Sequence, residues 1–365
     1  MAFEAADRRL LKGRAMDLRA PFPWFGGKSR AASLIWERLG EVANYVEPFA
    51  GSLAVLLGAP KIAPSETVND KDGFVANFWR ALSMDCEAVE HHADWPVNEN
   101  DLHARHAWLV EQRVDLTARL EGDPEFFDAK IAGWWVWGIC CWIGSGWCSG
   151  KGPWSRVDGK LVLGNLGQGV NRKLVHLGRG VGVESQRVHL GDLGQGVNRK
   201  RVELGGGRGV NRQLVHLGDL GRGVNRQLVH LGSLAERLRR VRVCCGDWTR
   251  VLGPTPTFKL GITGVVLDPP YDLDIRRKDC YSVDEQGISA AVRAWAIENG
   301  SHPLFRIALC GYEGEHEMPD GWRVEEWKAH GGYSSESKDG GNGNEHLERI
   351  WFSPHCLSGK QGRLF

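Results

Sequence analysis

The chain has 365 residues, 42% of them hydrophobic, enough for a globular core and two or so domains. No run of about 18 apolar residues occurs, which excludes a membrane-spanning helix, and the charged segment 1–20 lacks the apolar core of a signal peptide. Nine cysteines without an export signal read as reduced thiols in a cytoplasm, and with no Cys-x2-Cys spacing or Cys/His quartet no metal is expected.

In chain order, residues 1–20 show little periodicity and read as a disordered extension. Pro21, Phe22, Pro23, Trp24, Phe25, Gly26, Gly27 and Lys28 then precede a helical run, Ala31 to Leu39. As bare sequence, Gly-Gly-Lys is a turn carrying a solvated lysine. The stretch from Asn44 to Val55, with Glu47, Pro48, Phe49 and Gly51 at its centre, reads as a strand, a glycine turn and an apolar helix. That is the opening unit of a Rossmann-like sheet, where backbone approaches a ligand closely. About 20 residues on, Val68, Asn69 and Asp70 end a second strand. There an acid takes ribose hydroxyls in dinucleotide folds. Asn69 and Asp70 also suit the N-cap of a helix over Phe74 to Leu82.

His103 to Leu120 reads as a charged amphipathic helix. Asp128 to Trp142 reads as an apolar helix whose Trp134, Trp135, Trp137 and Trp142 are core residues. A glycine-rich loop follows, from Ile143 to Trp154, with Lys151 in it and Arg156 just beyond. The next segment is repetitive: Gly-x-Gly-Val begins at Gly167, Gly180, Gly194, Gly207 and Gly221, 13 or 14 residues apart. So short a period allows one brief strand and a turn, or a loop throughout. Between Leu166 and Gly232, 11 Lys and Arg stand against 4 Asp and Glu, in a chain whose net charge is only +1. The good units carry Asn-Arg pairs, including Asn171-Arg172, Asn198-Arg199, Asn211-Arg212 and Asn225-Arg226. Arginine binds phosphate or guanine and asparagine reads adenine, so the array suits DNA contact; the alternative is a flexible basic linker.

A strand over Val241 to Cys245 then ends in Gly246, Asp247 and Trp248, and a buried strand, Gly264 to Leu267, runs into Asp268, Pro269, Pro270 and Tyr271. A stiff turn there puts a carboxylate, a carbonyl and a ring at a strand's carboxyl end, where open α/β sheets bind ligands. Gly331 to Asn344 is Gly/Ser-rich and reads as a mobile loop. Glu345 to Pro354 reads as a late strand.

Aromatic-Gly-Gly-Lys, Glu-Pro-Phe-x-Gly, the acid, a long insert, Gly-Asp-Trp and Asp-Pro-Pro-Tyr, in that order, resemble the Dam-type DNA N6-adenine methyltransferases. The matching segments cover about 22–82 and 241–357. The resemblance implies an α/β, Rossmann-like S-adenosylmethionine-dependent methyltransferase sheet with an inserted helical and repeat-containing DNA-recognition region. It divides the chain into a catalytic domain, 21–84 with 241–365, and an insert, 85–240. The insert is helical over 85–156 and holds the repeats at 166–232.

It implies that Asp268, Pro269, Pro270 and Tyr271 form the catalytic loop. Trp24, Gly26, Lys28, Glu47, Pro48, Phe49, Gly51, Asp70, Asp247 and Trp248 would hold S-adenosylmethionine. Lys151, Arg156, Asn171, Arg172, Arg199, Arg212 and Arg226 would contact double-stranded DNA. The implied reaction is direct methyl transfer to N6 of an adenine flipped from the duplex. A phage or restriction–modification setting suits such an enzyme, although no paired endonuclease is evident from the chain. One departure stands out: Leu53 occupies the place of the family's second glycine. The alternatives are an N4-cytosine methyltransferase, which more often carries Ser where Asp268 stands, and a catalytically degenerate DNA-binding relative.

Overall fold

The computed structural model describes residues 18–24, 26–142, 147–150, 154–158, 160–163, 224–271, 287–327 and 346–358. Seven strands form one sheet: β1 (Asn44–Glu47), β2 (Ser65–Asp70), β5 (Val241–Cys245), β6 (Thr263–Leu267), β7 (Phe305–Tyr312), β8 (Arg323–Glu326) and β9 (Glu348–Phe352). Their spatial order is β5-β2-β1-β6-β7-β9-β8. The first five are mutually parallel. β9 runs antiparallel to β7 and β8 antiparallel to β9. This is a mostly parallel, Rossmann-like α/β sheet, as the motif order predicts.

The central strands are mostly buried because both faces of the sheet are covered. Alternate residues feed two cores. Tyr45, Val266, Ala308, Cys310, Ile350 and Phe352 belong to one; Val46, Val265, Leu267, Ile307, Leu309 and Trp351 belong to the other. The first core is closed by helices α1 (Ala32–Leu39), α2 (Ala54–Leu57) and α3 (Gly73–Met84). The second is closed by α8 (Ile288–Gly300) and a short 3-10 turn, Trp248–Val251.

Three more helices stack beside α3: α4 (Cys86–Ala93), α5 (Glu99–Gly122) and α6 (Ala129–Cys141). The tryptophans of α6 are core, with Trp135 and Trp137 each 2% exposed. A hairpin follows, β3 (Trp154–Val157) with β4 (Lys160–Leu163). Helix α7 (Val224–Leu238) leads straight into β5. Within α7, Leu231, Leu234 and Leu238 are buried, and Arg237 grips Glu66 of β2 with bonds of 2.6 and 2.9 Å. Residues Val224 to Gly232 of the last repeat unit are thus helical, and not the strand or loop expected; the start of that unit lies outside the described residues. An apolar Leu at every third or fourth position finds a packing partner here, and tertiary burial decides the local structure.

The helical layer is tied to the sheet by one buried cation. Arg80, on α3, is 5% exposed. It donates to the carbonyls of Asp123 and Phe126 at 2.9 Å, of Val243 at 3.0 Å and of Leu120 at 3.4 Å. Three of these acceptors lie at or beyond the end of α5, where helix carbonyls have no partner of their own. Burial lowers the Arg80 pKa, but its carbonyl partners favour the charged form. We expect Arg80→Leu to lower the unfolding free energy by at least about 3 kcal/mol in urea titration, because several buried carbonyls lose their donor together.

Candidate functional site

Strand order reverses between β1 and β6: from β1 the chain steps outward to β2, while from β6 it steps the other way to β7. At such a switch point the loops leaving the two strands diverge, and a crevice opens at their carboxyl ends. The loop after β1 carries Pro48, Phe49, Ala50 and Gly51. The loop after β6 carries Asp268, Pro269, Pro270 and Tyr271. Two motifs more than 200 residues apart in sequence are thus neighbours.

Asn69 and Asp70 build the first loop. The Asn69 amide donates to the Pro48 carbonyl at 3.1 Å and to the Gly246 carbonyl at 2.9 Å, joining the loops after β1 and β5. The partly buried Asp70 carboxylate accepts from Gly51 N at 2.9 Å and from Asp72 N at 2.8 Å. Burial, and then the neighbouring Asp72, push its pKa up to about 7. Neither Asn69 nor Asp70 caps α3, contrary to the capping role their position suggests. Asp72 is the cap, accepting from Phe74 N at 3.0 Å, which leaves Asp70 for the loop.

Gly51 has φ of +45°, and a Cβ there would lie 2.4 Å from the Trp24 indole nitrogen. Only glycine permits that approach. Leu53 also sits in the left-handed region, at φ 53° and ψ 26°, but its side chain is fully buried in the first core. The place of the second glycine is therefore held in the conformation a glycine would adopt, with the leucine turned inward. Glu47 is buried beside Tyr45, whose hydroxyl donates to it at 2.9 Å, and burial pushes its pKa up to about 8. Phe49 stacks on Trp248 with centroids 6.2 Å apart, and Trp248 is 9% exposed within the second core. Asp247 is exposed, and Thr249 donates to it through its backbone nitrogen at 2.9 Å and through its hydroxyl, which holds its pKa below the ordinary range.

The amino-terminal motif folds across this crevice. Phe22 packs among Phe78, Trp79 and Trp135 at 5.0–5.5 Å and fixes the segment to α3 and α6. Gly26 turns with φ of +71°. Lys28 is not the solvated lysine that Gly-Gly-Lys suggests in isolation: it is 4% exposed, bonds the Gly26 carbonyl at 2.9 Å and pairs with Asp268 at 2.8 Å. Burial alone would lower its pKa; the carboxylates of Asp268 and Glu348 outweigh that and raise it, so Lys28 is a cation. Glu348, on β9, accepts the Tyr271 hydroxyl at 3.0 Å. Burial raises its own pKa. Glu348 and Trp327, whose ring lies 5.7 Å from the Lys28 ammonium, belong to the site although no role was read for them from sequence. Glu348 lay within the late strand, but nothing local in that strand points at Tyr271.

The expected DNA contacts are not gathered at the crevice by the described residues. Lys151, Asn171, Arg172, Arg199 and Arg212 lie outside them. Arg156 is in β3 opposite Leu161, and Arg226 is in the first turn of α7. The hairpin holding Arg156 had a readable signal, Asp158-Gly159, the favoured two-residue turn, and Asp158 has the required positive φ of 49°. No helix among the described residues is long and apolar enough to cross a membrane.

The Leu53 geometry sets two effects against each other. Left-handed backbone costs a leucine about 1–2 kcal/mol, whereas deleting a buried leucine side chain costs about 3–5 kcal/mol. Leu53→Gly should therefore destabilise the chain by about 2 kcal/mol in thermal or urea unfolding instead of improving it.

Residues 24–118 match the family model of the D12 class N6 adenine-specific DNA methyltransferases. The match runs from Trp24 through the loop after β1 and Asp70 into α5, so it holds one wall of the crevice; Asp-Pro-Pro-Tyr forms the other. No curated protein matches the chain. The match spans about a quarter of the chain and, with the geometry of the crevice, supports a DNA adenine-N6 methyltransferase similar to that class.

Proposed function

We propose that this enzyme binds S-adenosylmethionine along the loops after β1, β2 and β5 and methylates an adenine rotated out of duplex DNA into the space beside Asp268. The observation that carries the reading is the meeting of the Glu47–Gly51 loop and the Asp268–Tyr271 turn at the switch point of the sheet. The residues present fit that cofactor. Gly51 lets the Trp24 indole close directly onto the loop after β1. Asp70 is held by backbone nitrogens, including those of Gly51 and Asp72, at the end of β2, where its carboxylate can also meet ribose hydroxyls. Glu47 is an acid available to a cationic group, and Phe49 with Asp247 suits a purine and its amine.

Bound there, S-adenosylmethionine supplies an electrophilic methyl group. The chain's own residues position the nucleophile. Asp268 and the Pro269 carbonyl accept the two N–H bonds of the adenine amine and turn its lone pair toward the methyl donor. The Asp268 carboxylate also stabilises the positive charge that develops on that nitrogen as the new bond forms. Pro269 and Pro270 keep both acceptors fixed, so little reorganisation is needed at the moment of transfer. Tyr271 offers a ring for the base to stack on, which offsets the few kcal/mol lost on unstacking. In this reading, residues 21–84 and 241–365 make the catalytic unit and the intervening chain makes the DNA-facing part. The Asn-Arg units, outside the described residues except for the last, would add a basic surface for phosphates.

The test is transfer of label from S-adenosylmethionine to unmethylated duplex DNA, with N6-methyladenine identified by nucleoside mass spectrometry. Asp268→Ala should reduce transfer by at least about 10³-fold, with little change in S-adenosylmethionine affinity. Retained activity would remove Asp268 from the mechanism.

A second prediction concerns pH. Glu47 and Asp70 titrate near 8 and 7. Below those values each holds a proton that must leave before a cationic ligand can be paired. Affinity for S-adenosylmethionine should therefore rise as pH goes from 6 to 8, with proton release on binding. Calorimetry in buffers of different ionisation enthalpy measures both, and Glu47→Gln should flatten the rise. A pH-independent affinity in the wild type would take Glu47 and Asp70 out of the binding site.

A further inference from the structure

The Lys28 ammonium makes two contacts at once: 2.8 Å to an Asp268 oxygen and 5.1 Å to the centre of the Tyr271 ring. These are the contacts that the proposed mechanism gives to the target base, a hydrogen bond into Asp268 and a place over Tyr271. The other sides of Tyr271 are taken. Its hydroxyl is bonded to Glu348, and Tyr312 packs against it at 4.6 Å and 72°. Only 8% of the residue is exposed, so no base stacks on this ring while Lys28 stays where it is.

We propose that Lys28 is an internal stand-in for the adenine amine: it fills the base position in the DNA-free enzyme and yields Asp268 and the Tyr271 face to an extruded base, with Glu348 retaining its charge. The inference rests on Asp268 and Tyr271 receiving the base. The exchange has a defined cost. An ammonium adds full ion pairing to the bond that a neutral amine would make to the same carboxylate, so a base wins Asp268 only if its ring contacts supply the difference. Lys28 gives up that bond without being stranded. Glu348, 6% exposed, and the Trp327 ring both lie within its field. Lys28 thereby raises the threshold for any base that reaches the pocket without the full set of contacts.

A competitor built into the chain raises the apparent constant for DNA by the reciprocal of the fraction of sites it leaves open. The experiment is single-turnover methylation by enzyme saturated with labelled S-adenosylmethionine, with unmethylated duplex DNA varied. Lys28→Met removes the competitor and should lower the half-saturating DNA concentration by about threefold or more. Glu348→Gln, which leaves the displaced ammonium without its carboxylate, should raise it. Lys28→Leu makes the same comparison with another side chain that cannot bond Asp268, and serves if the methionine variant does not fold. Half-saturation unchanged or raised in the folded neutral variant overturns the stand-in. Asp268→Ala, run alongside, separates the two ideas. An active Asp268→Ala defeats the underlying reading, whereas an inactive one with unchanged half-saturation in the Lys28 variants defeats the stand-in alone.

Discussion

The reversal of strand order between β1 and β6 is the constraint on which the rest of the molecule depends. Crossover helices cover a parallel sheet on both faces but cannot cover its carboxyl edge where successive connections leave in opposite directions. Among the described residues, three of the sequence motifs meet at that place. The Glu47 loop arrives from one side and the Asp268 turn from the other, and the amino-terminal segment lies across both. The surroundings hold these pieces still. Asn69 joins the loops after β1 and β5, Asp70 anchors the Gly51 turn, and Phe22 fastens the overlying segment to the helical layer.

The price of such a site is buried charge. Glu47, Lys28 and Glu348 are each less than a tenth exposed, and Asp268 adds a further carboxylate to the same neighbourhood. Charges so far from water are tolerated when they pair and hydrogen-bond. Lys28 neutralises part of the acid, and Tyr45 and Tyr271 each give a hydroxyl to a carboxylate. The result is a site with more acidic than basic groups, in which Lys28 pairs with Asp268 and burial raises the pKa of Glu47 and Glu348.

The sheet and the crevice loops were legible in the chain because their causes are local. Val265, Val266 and Leu267 form an unbroken apolar run because both faces of that strand are buried, and the turn that follows needs its prolines. The helices α1, α3, α5 and α6 announce themselves by period and lie within a few residues of their expected ends. What could not be read is long-range or competitive. Lys28 looks solvated until a carboxylate 240 residues later is placed beside it. Glu348 meets Tyr271 only because β9 inserts between β7 and β8. Asn69, Asp70 and Asp72 are all competent caps, and the choice falls on Asp72 because the strand geometry turns Asp70 toward Gly51.

Helix α7 places an uneven burden on the repeats. Leu-Val-His-Leu-Gly occurs at 214–218 and again, unchanged, at 228–232, but Leu231 of the later copy is a core residue. Tandem copies invite slippage and unequal exchange, which lengthen or shorten an array one unit at a time. Here the end of the unit beginning at Gly221 is anchored by the fold through Leu231, and Arg237, further along the same helix, clamps β2. Units can be gained or lost upstream, but the last must persist in every length variant. The array therefore has a fixed end from which its copy number can drift, and the sheet is insulated from that drift by a single turn-and-a-half of helix.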